Sequence, residues 1–314
     1  MSERAALVAL LRLGSRSWSE CAELVESGDG ALAALERELA GPAGQTSLLD
    51  GTAPLVRAAQ AQVAGWERDG WTVLTVLDGG YPTNLRHVHD RPPLIFVAGS
   101  LLATDSRAVA VIGSRRPSES GLAAAGEIAR ALVANGQTVV SGLAKGVDTA
   151  AHVAALAAGG RTIAVIGTGL AHCYPPENAP LQARIAADGA VVSRFWPHDP
   201  PSRLSFPLRN AVMSGLARAT VVVAASPTSG ARVQVRLALA HARPVLLWAP
   251  LLAQDWARDL AARPGVHVVA DAAEVPTLVA RLSADDAVTA DGGGVAGVEA
   301  DAGVAGAPGD ALDR

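Results

Sequence analysis

The sequence predicts an α/β fold of the Rossmann-like, doubly wound kind, with a mostly parallel sheet preceded by a small helical domain. Three observations carry this. Nine short apolar runs alternate with helix-length stretches from Trp71 onward, four of those runs end in glycine-bearing loops, and helical spacing alone fills the chain before residue 68. Unbroken apolar strands alternating with helices mark a parallel sheet covered on both faces.

Residues 1–68 form the expected helical domain. Ala6, Leu7, Leu10, Leu11 and Leu13 recur on one helical face, and Leu24, Leu32, Leu35 and Leu39 continue the stripe around turns at Gly28 and Gly30. No basic cluster on this segment points to nucleic-acid contact. Residues 69–283 form the Rossmann-like domain, with strands expected at 73–76, 94–97, 108–112, 138–140, 162–166, 190–192, 220–224, 244–247 and 266–269. Stretches such as 121–133, 149–158 and 232–241 supply the covering helices. From residue 284 to 314 the chain is Gly, Ala and Asp without periodicity, with only Val and Leu as large apolar residues, so a disordered acidic tail is expected there.

Composition narrows the function. A chain of 314 residues that is 50% hydrophobic can bury a large core. No run of eighteen uncharged apolar residues and no export signal is found, so the expected location is the cytoplasm, away from the membrane. Cys21 and Cys173 lack metal-ligand spacing, and neither a disulfide framework nor a metal site is expected. The net charge is −4, but residues 284–314 hold seven acids and one arginine, so the remainder has 25 basic against 23 acidic residues. Affinity for a polyanion must therefore come from a local patch. Of the 26 basic residues only Lys145 is a lysine, and it sits in a glycine-rich segment.

The four glycine loops are 113–117 (Gly113, Ser114, Arg115, Arg116, Pro117), 141–146 (Ser141, Gly142, Leu143, Ala144, Lys145, Gly146), 167–169 (Gly167, Thr168, Gly169) and 227–230 (Pro227, Thr228, Ser229, Gly230). In a parallel sheet they share the carboxyl edge, where ligands bind, and free amides at the following helix N-termini favour phosphate. Neither the three-glycine dinucleotide fingerprint nor a P-loop is present, because Gly113 has no following glycine until Gly121 and Lys145 precedes Gly146. No cofactor is expected. Arg115, Arg116, Lys145 and Arg209, next to Asn210, make the edge cationic, so the ligand is an anion. Asp148 reads most simply as complementing a helix N-terminus, and His152 as a packed side chain.

These motifs resemble the DprA/Smf family. Tyr81-Pro82-x-x-Leu85, Pro92-Pro93 and Gly99 look like its lead-in, and 111–115 (Val-Ile-Gly-Ser-Arg) looks like its first loop. Residues 140–152 and 162–170, then Tyr174-Pro175 with Asn178, and Phe206 through Asn210, complete the likeness over about 72–250. The resemblance implies a non-catalytic single-stranded DNA-binding protein of DNA processing and recombination, a homodimer that loads a RecA-type recombinase during natural transformation. The sequence departs from the family at Arg194 (usually Glu), Ala211 (Arg), Ala224-Ala225 (a Glu expected) and Pro176 (Lys). The usual Ser-Gly-Ser-Leu-Ile-Thr reads Ser229 to Gln234 as Ser-Gly-Ala-Arg-Val-Gln, and the acidic tail is expected to stand where many members of the family carry a C-terminal winged helix.

The DNA- and phosphate-binding residues expected are Gly113, Ser114, Arg115, Ser141, Gly142, Lys145, Gly146, Gly167, Gly169, Arg209, Asn210, Ser229 and Gly230. Phe195, Trp196 and Phe206 are the candidates for base stacking. The alternative is a nucleotide-binding Rossmann protein, a phosphoribohydrolase-like enzyme or a nucleotide sensor. Against it, Pro227 to Gly230 lacks the glutamate that base removal from a nucleotide would use.

Overall fold

The computed structural model describes residues 2–40, 51–227 and 229–291, with side-chain surroundings through residue 283. Four helices come first: α1 (Glu3–Leu13), α2 (Trp18–Ser27), α3 (Gly30–Ala40) and α4 (Thr52–Arg68). Ser17 starts α2 with a capping box, in which its hydroxyl accepts from the Glu20 amide and the Glu20 carboxylate accepts from the Ser17 amide. Leu7, Leu10 and Leu35 of the expected stripe are fully buried, whereas Leu13 ends α1 exposed.

The α/β part then runs β1 (Trp71–Thr75), α5 (Thr83–Arg86), β2 (Leu94–Gly99), β3 (Val109–Gly113), α6 (Glu119–Ala134), β4 (Val139–Ser141), α7 (Val147–Ala157) and β5 (Thr162–Val165). It continues α8 (Ala179–Asp188), β6 (Ala190–Ser193), α9 (Ser205–Leu216), β7 (Ala219–Ala224), α10 (Ala231–Ala240), β8 (Val245–Trp248), α11 (Asp255–Ala261), β9 (Val266–Val269) and α12 (Glu274–Asp291). Every strand expected from the apolar runs is present, with ends shifted by at most two residues. The last helix passes the boundary at 284 where the tail was expected to begin. Residues 292–314, the rest of that expected tail, lie outside the described residues.

All nine strands form one sheet in the order β1-β2-β6-β5-β4-β3-β7-β8-β9. From β6 to β9 the neighbours are parallel, while β2 runs antiparallel to β6 and β1 antiparallel to β2. The sheet is mixed because β1 and β2 bring the chain in from the helical segment before the first β–α–β crossover.

Alternation along each strand feeds two cores. Val109 and Val111 of β3 join Ile128 and Leu132 of α6 and Ala151 and Ala155 of α7 on one side. Ala110 and Ile112 join Val212 and Met213 of α9 and Val235 of α10 on the other. The chain leaves β3 in one direction through β4, β5 and β6, then returns along α9 to place β7 on the opposite flank of β3. A register shift between Ile112 and Gly113 breaks the β3–β7 ladder at its carboxyl end. Strand order thus reverses at β3 and β7, the kind of place where open α/β sheets bind ligands.

The helical segment shares the larger core with the sheet. Trp66 of α4 meets Phe96 of β2 edge-on at 5.1 Å between ring centroids and lies 5.8 Å from Trp196, which also meets Trp18 of α2 at 5.5 Å. Arg12 caps this aromatic cluster, its guanidinium carbon 3.8 Å from the Trp196 ring centroid. No helix among the described residues is long and apolar enough to cross a membrane.

Replacing Trp66 by alanine should cost about 3–5 kcal/mol, the range for a large buried aromatic. Urea unfolding should show the whole chain destabilised in a single transition. An unchanged midpoint, or separate melting of α1–α4, would show that the two parts do not share a core.

Candidate functional site

Parallel packing brings the ends of β3, β4, β5 and β7 to one edge, and the reversal between β3 and β7 opens a cleft of about 350 Å³ there. One wall is Ser114, Arg115 and Arg116 from the β3 loop. Phe206, Arg209 and Asn210 of α9 form another, and Ser226, Ser229, Gly230 and Gln234 close it from the β7 side.

Hydrogen bonds lock the loops to the strands. The Ser114 amide donates to the Ala224 carbonyl at 2.6 Å, and the Val147 amide donates to the Ser114 carbonyl at 3.2 Å. Gly146 makes that second contact feasible. Its φ is +80°, and a Cβ there would lie 2.4 Å from the Ser114 carbonyl oxygen. Asp148, in the first turn of α7, is buried, and its carboxylate accepts from the Gly142 amide at 3.1 Å and the Ala144 amide at 3.3 Å. It therefore organises the preceding loop as well as standing near its own helix terminus. Burial pushes its pKa up, and Arg209 and the loop amides pull it back.

Arg209 lies beneath the cleft and is only 6% exposed. Its Nη1 donates to the Val165 carbonyl at 3.0 Å, while its Nε has no partner. Burial lowers its pKa, the field of Asp148 opposes that, and nearby Arg115 reinforces it. Gly142 makes room for this guanidinium. A Cβ at 142 would fall 1.5 Å from Nη1, so the glycine at this position serves the arginine and not a ligand approach.

At the mouth, the Arg115 guanidinium carbon lies 5.4 Å from the Phe206 ring centroid, and Phe206 in turn faces Tyr174 at 5.8 Å. Lys145 is exposed and ion-paired with Glu177, which follows the Tyr174-Pro175 turn. Arg115, Lys145, Tyr174 and Phe206 surround a narrower recess of about 60 Å³ that also touches Gly142, Gly167 and Arg209.

The structure separates the expected contact residues into three sets. Ser114, Arg115, Asn210, Ser229 and Gly230 line the cleft, and Lys145 and Gly167 line the recess beside it. Gly113, Gly142, Gly146 and Arg209 shape these walls from within or below. Ser141 and Gly169 are not surface contacts: the Ser141 hydroxyl donates to the Val111 carbonyl at 2.7 Å with no exposure, and a Cβ on Gly169 would meet the Trp196 carbonyl at 2.1 Å. Among the stacking candidates, Phe206 is at the site, and Trp196 belongs to the aromatic core. Tyr174 and Glu177 were missed as site residues. Their signal was present, since the loop between a parallel strand and its crossover helix lies at the carboxyl edge.

A family model described as DNA recombination-mediator protein A matches residues 72–277, which spans the sheet and every loop of the cleft. The chain belongs to the DNA recombination-mediator protein A family. Among curated relatives, the DNA processing protein DprA of Streptococcus pneumoniae is 42% identical over 54% of this chain and 60% of its own length. Protein Smf of Synechocystis is 41% identical over 52% of this chain and 42% of its own. The chain thus spans only part of each of these two relatives. The name of the Streptococcus pneumoniae relative describes DNA processing. The crystal structure of Streptococcus pneumoniae DprA superposes with a TM-score of 0.63 at 29% identity, covering 87% of this chain and 92% of that one. A second structure, of Helicobacter pylori DNA processing protein A, is described for its single-stranded DNA binding mode. It gives a TM-score of 0.60 at 25% identity over 67% of this chain and 96% of that one.

Within this family frame, the altered positions fall mostly outside the cleft. Arg194 lies by the helical segment, its guanidinium carbon 5.5 Å from the Trp18 ring centroid, and Ala211 is buried in α9. Ala231 and Gln234 are the exceptions that line the cleft, and the Gln234 amide, oriented as its neighbours require, donates to the Asn210 carbonyl at 3.0 Å.

His152 packs as expected. The Thr162 hydroxyl donates to the Val139 carbonyl at 2.9 Å, so at 2.7 Å it accepts from His152 Nδ1. Burial pushes the His152 pKa down from 6.5 to about 3. The folded state keeps the ring neutral through a window in which the unfolded chain binds a proton, so stability is full above about 6.5 and falls as pH drops toward 3. The slope approaches about 1.4 kcal/mol per pH unit. Urea denaturation across this window should show a shallower slope for His152→Asn than for the parent. Identical slopes would remove His152 as the source.

Proposed function

We propose that this chain is a non-catalytic single-stranded DNA-binding protein of DNA processing and recombination, with the β3–β7 cleft as its phosphate site. The observation that carries the reading is Arg209, a buried cation with an unpartnered donor beneath a cleft whose mouth adds Arg115 and Arg116. A bound phosphate would add a second anion, beside Asp148, for the three cations gathered here. Family membership and the single-strand-binding relative from Helicobacter pylori support DNA as the polyanion. Tyr174 and Phe206 offer stacking faces beside the cations, an arrangement suited to single strands of any sequence. Pairing of two copies, delivery of a RecA-type recombinase in natural transformation, and a cytoplasmic location follow from the family and belong to the same proposal.

Arg115→Ala should weaken single-strand binding with little change in melting temperature, and should lower the slope of log affinity against log salt by about 0.7. Lys145→Ala should change the slope less. Glu177 already neutralises Lys145, so a phosphate arriving there displaces a carboxylate and releases fewer salt ions. Fluorescence anisotropy over a salt series measures both. Parent-like affinity and slope in both variants, or tighter binding of duplex than of single strand, would overturn the reading.

A further inference from the structure

A second depression, of about 450 Å³, lies between α10 and α11 and meets the cleft at Ser229, which lines both. Its charged wall is Arg232, Arg236 and Arg263 against one acid, Asp259. Arg232 and Arg236 stand one turn apart on α10, a spacing at which like charges destabilise a helix. The neighbouring acid Asp255 is held by Arg258. Among the described residues, neither Arg236 nor Arg263 is in an ion pair.

An aromatic ring is fixed in the same wall. Trp256 Nε1 donates to the Gln254 side-chain oxygen at 2.8 Å, and Gln254 Nε2 donates to the carbonyl of Ala225, just beyond β7, at 2.9 Å. The indole is thereby tied to the strand end that borders the cleft. Arg232 lies beside it, its guanidinium carbon 5.7 Å from the ring centroid and its Nη1 donating to the Pro227 carbonyl at 2.6 Å.

We propose that this depression is a second single-strand subsite, which takes the nucleotides leaving the cleft. Arg232, Arg236 and Arg263 contact successive phosphates and a base stacks on Trp256. Cations interleaved with an oriented aromatic ring match a polynucleotide better than an acidic peptide, which would use the charges but not the ring. The departure from the family at Arg232 gains a purpose: where a leucine is usual, this chain places a cation on the track. The inference rests on the cleft being a single-strand site, and its test separates the two.

Labelled oligothymidylates of about six and about twenty nucleotides probe a short stretch within, and a length beyond, single-strand site sizes of about 4–16 nucleotides. The parent should bind the longer one more tightly than its extra length alone provides. Arg236→Ala with Arg263→Ala should leave the short oligonucleotide's affinity unchanged, weaken the long one, and lower the long one's salt slope by about 1.4. Trp256→Ala should weaken the long one about tenfold, within the range for loss of a base–aromatic stack, with Trp256→Phe recovering most of it. Arg115→Ala should weaken both lengths, and its failure on the short one would count against the cleft and not against the second subsite. The second subsite is overturned if the double arginine variant binds the long oligonucleotide like the parent, or weakens both lengths equally. It is also overturned if polyglutamate displaces the long oligonucleotide as well as unlabelled oligothymidylate does.

Discussion

The constraint on which this structure depends is the reversal of strand order at β3. Right-handed crossovers oblige α6 and α7 to cover one face while the chain builds toward β6, and α10 and α11 to cover the other once it builds from β7 toward β9. The loops after β3 and β7 must then part, and a crevice forms there whatever side chains line it. Sequence decides only what the crevice binds. Here it supplies arginines, short polar side chains and loop amides, and the dinucleotide glycines are missing.

Beneath that crevice the residues act in linked pairs. Gly142 gives its side-chain volume to Arg209, Gly146 lets the β4 loop rest on Ser114, and Asp148 holds Gly142 and Ala144 by their amides. The cleft is thus supported by α7 and α9, two helices from opposite faces of the sheet. A loop held at this many points pre-organises its donors, which lowers the ordering cost when a flexible strand binds.

Much of the fold was legible in the residues, because fully buried strands are written as continuous apolar runs and need no partner to be recognised. Strand direction was not: the runs at 73–76 and 94–97 look like the others, yet they pair antiparallel, since local apolarity carries no sign of orientation. The docking of the helical segment was equally hidden, as it depends on Trp18, Trp66 and Trp196 meeting from positions far apart in the chain. At the site, glycine and charge correctly marked the edge. They could not tell which polar groups turn inward, so Ser141 and Arg209 read like Ser114 and Arg115 although their hydroxyl and guanidinium lie in the interior.

The burial of Arg209 also bears on how the protein keeps its shape. A guanidinium taken from water with one donor unmet subtracts from folding stability, and an anion in the cleft above it would restore part of what was lost. Ligand and fold would then be joined in one equilibrium: a polyanion bound in the cleft as proposed would also act as a folding cofactor. A protein built this way would be at its most robust while its cleft is filled, and would give up part of its stability when the cleft is empty.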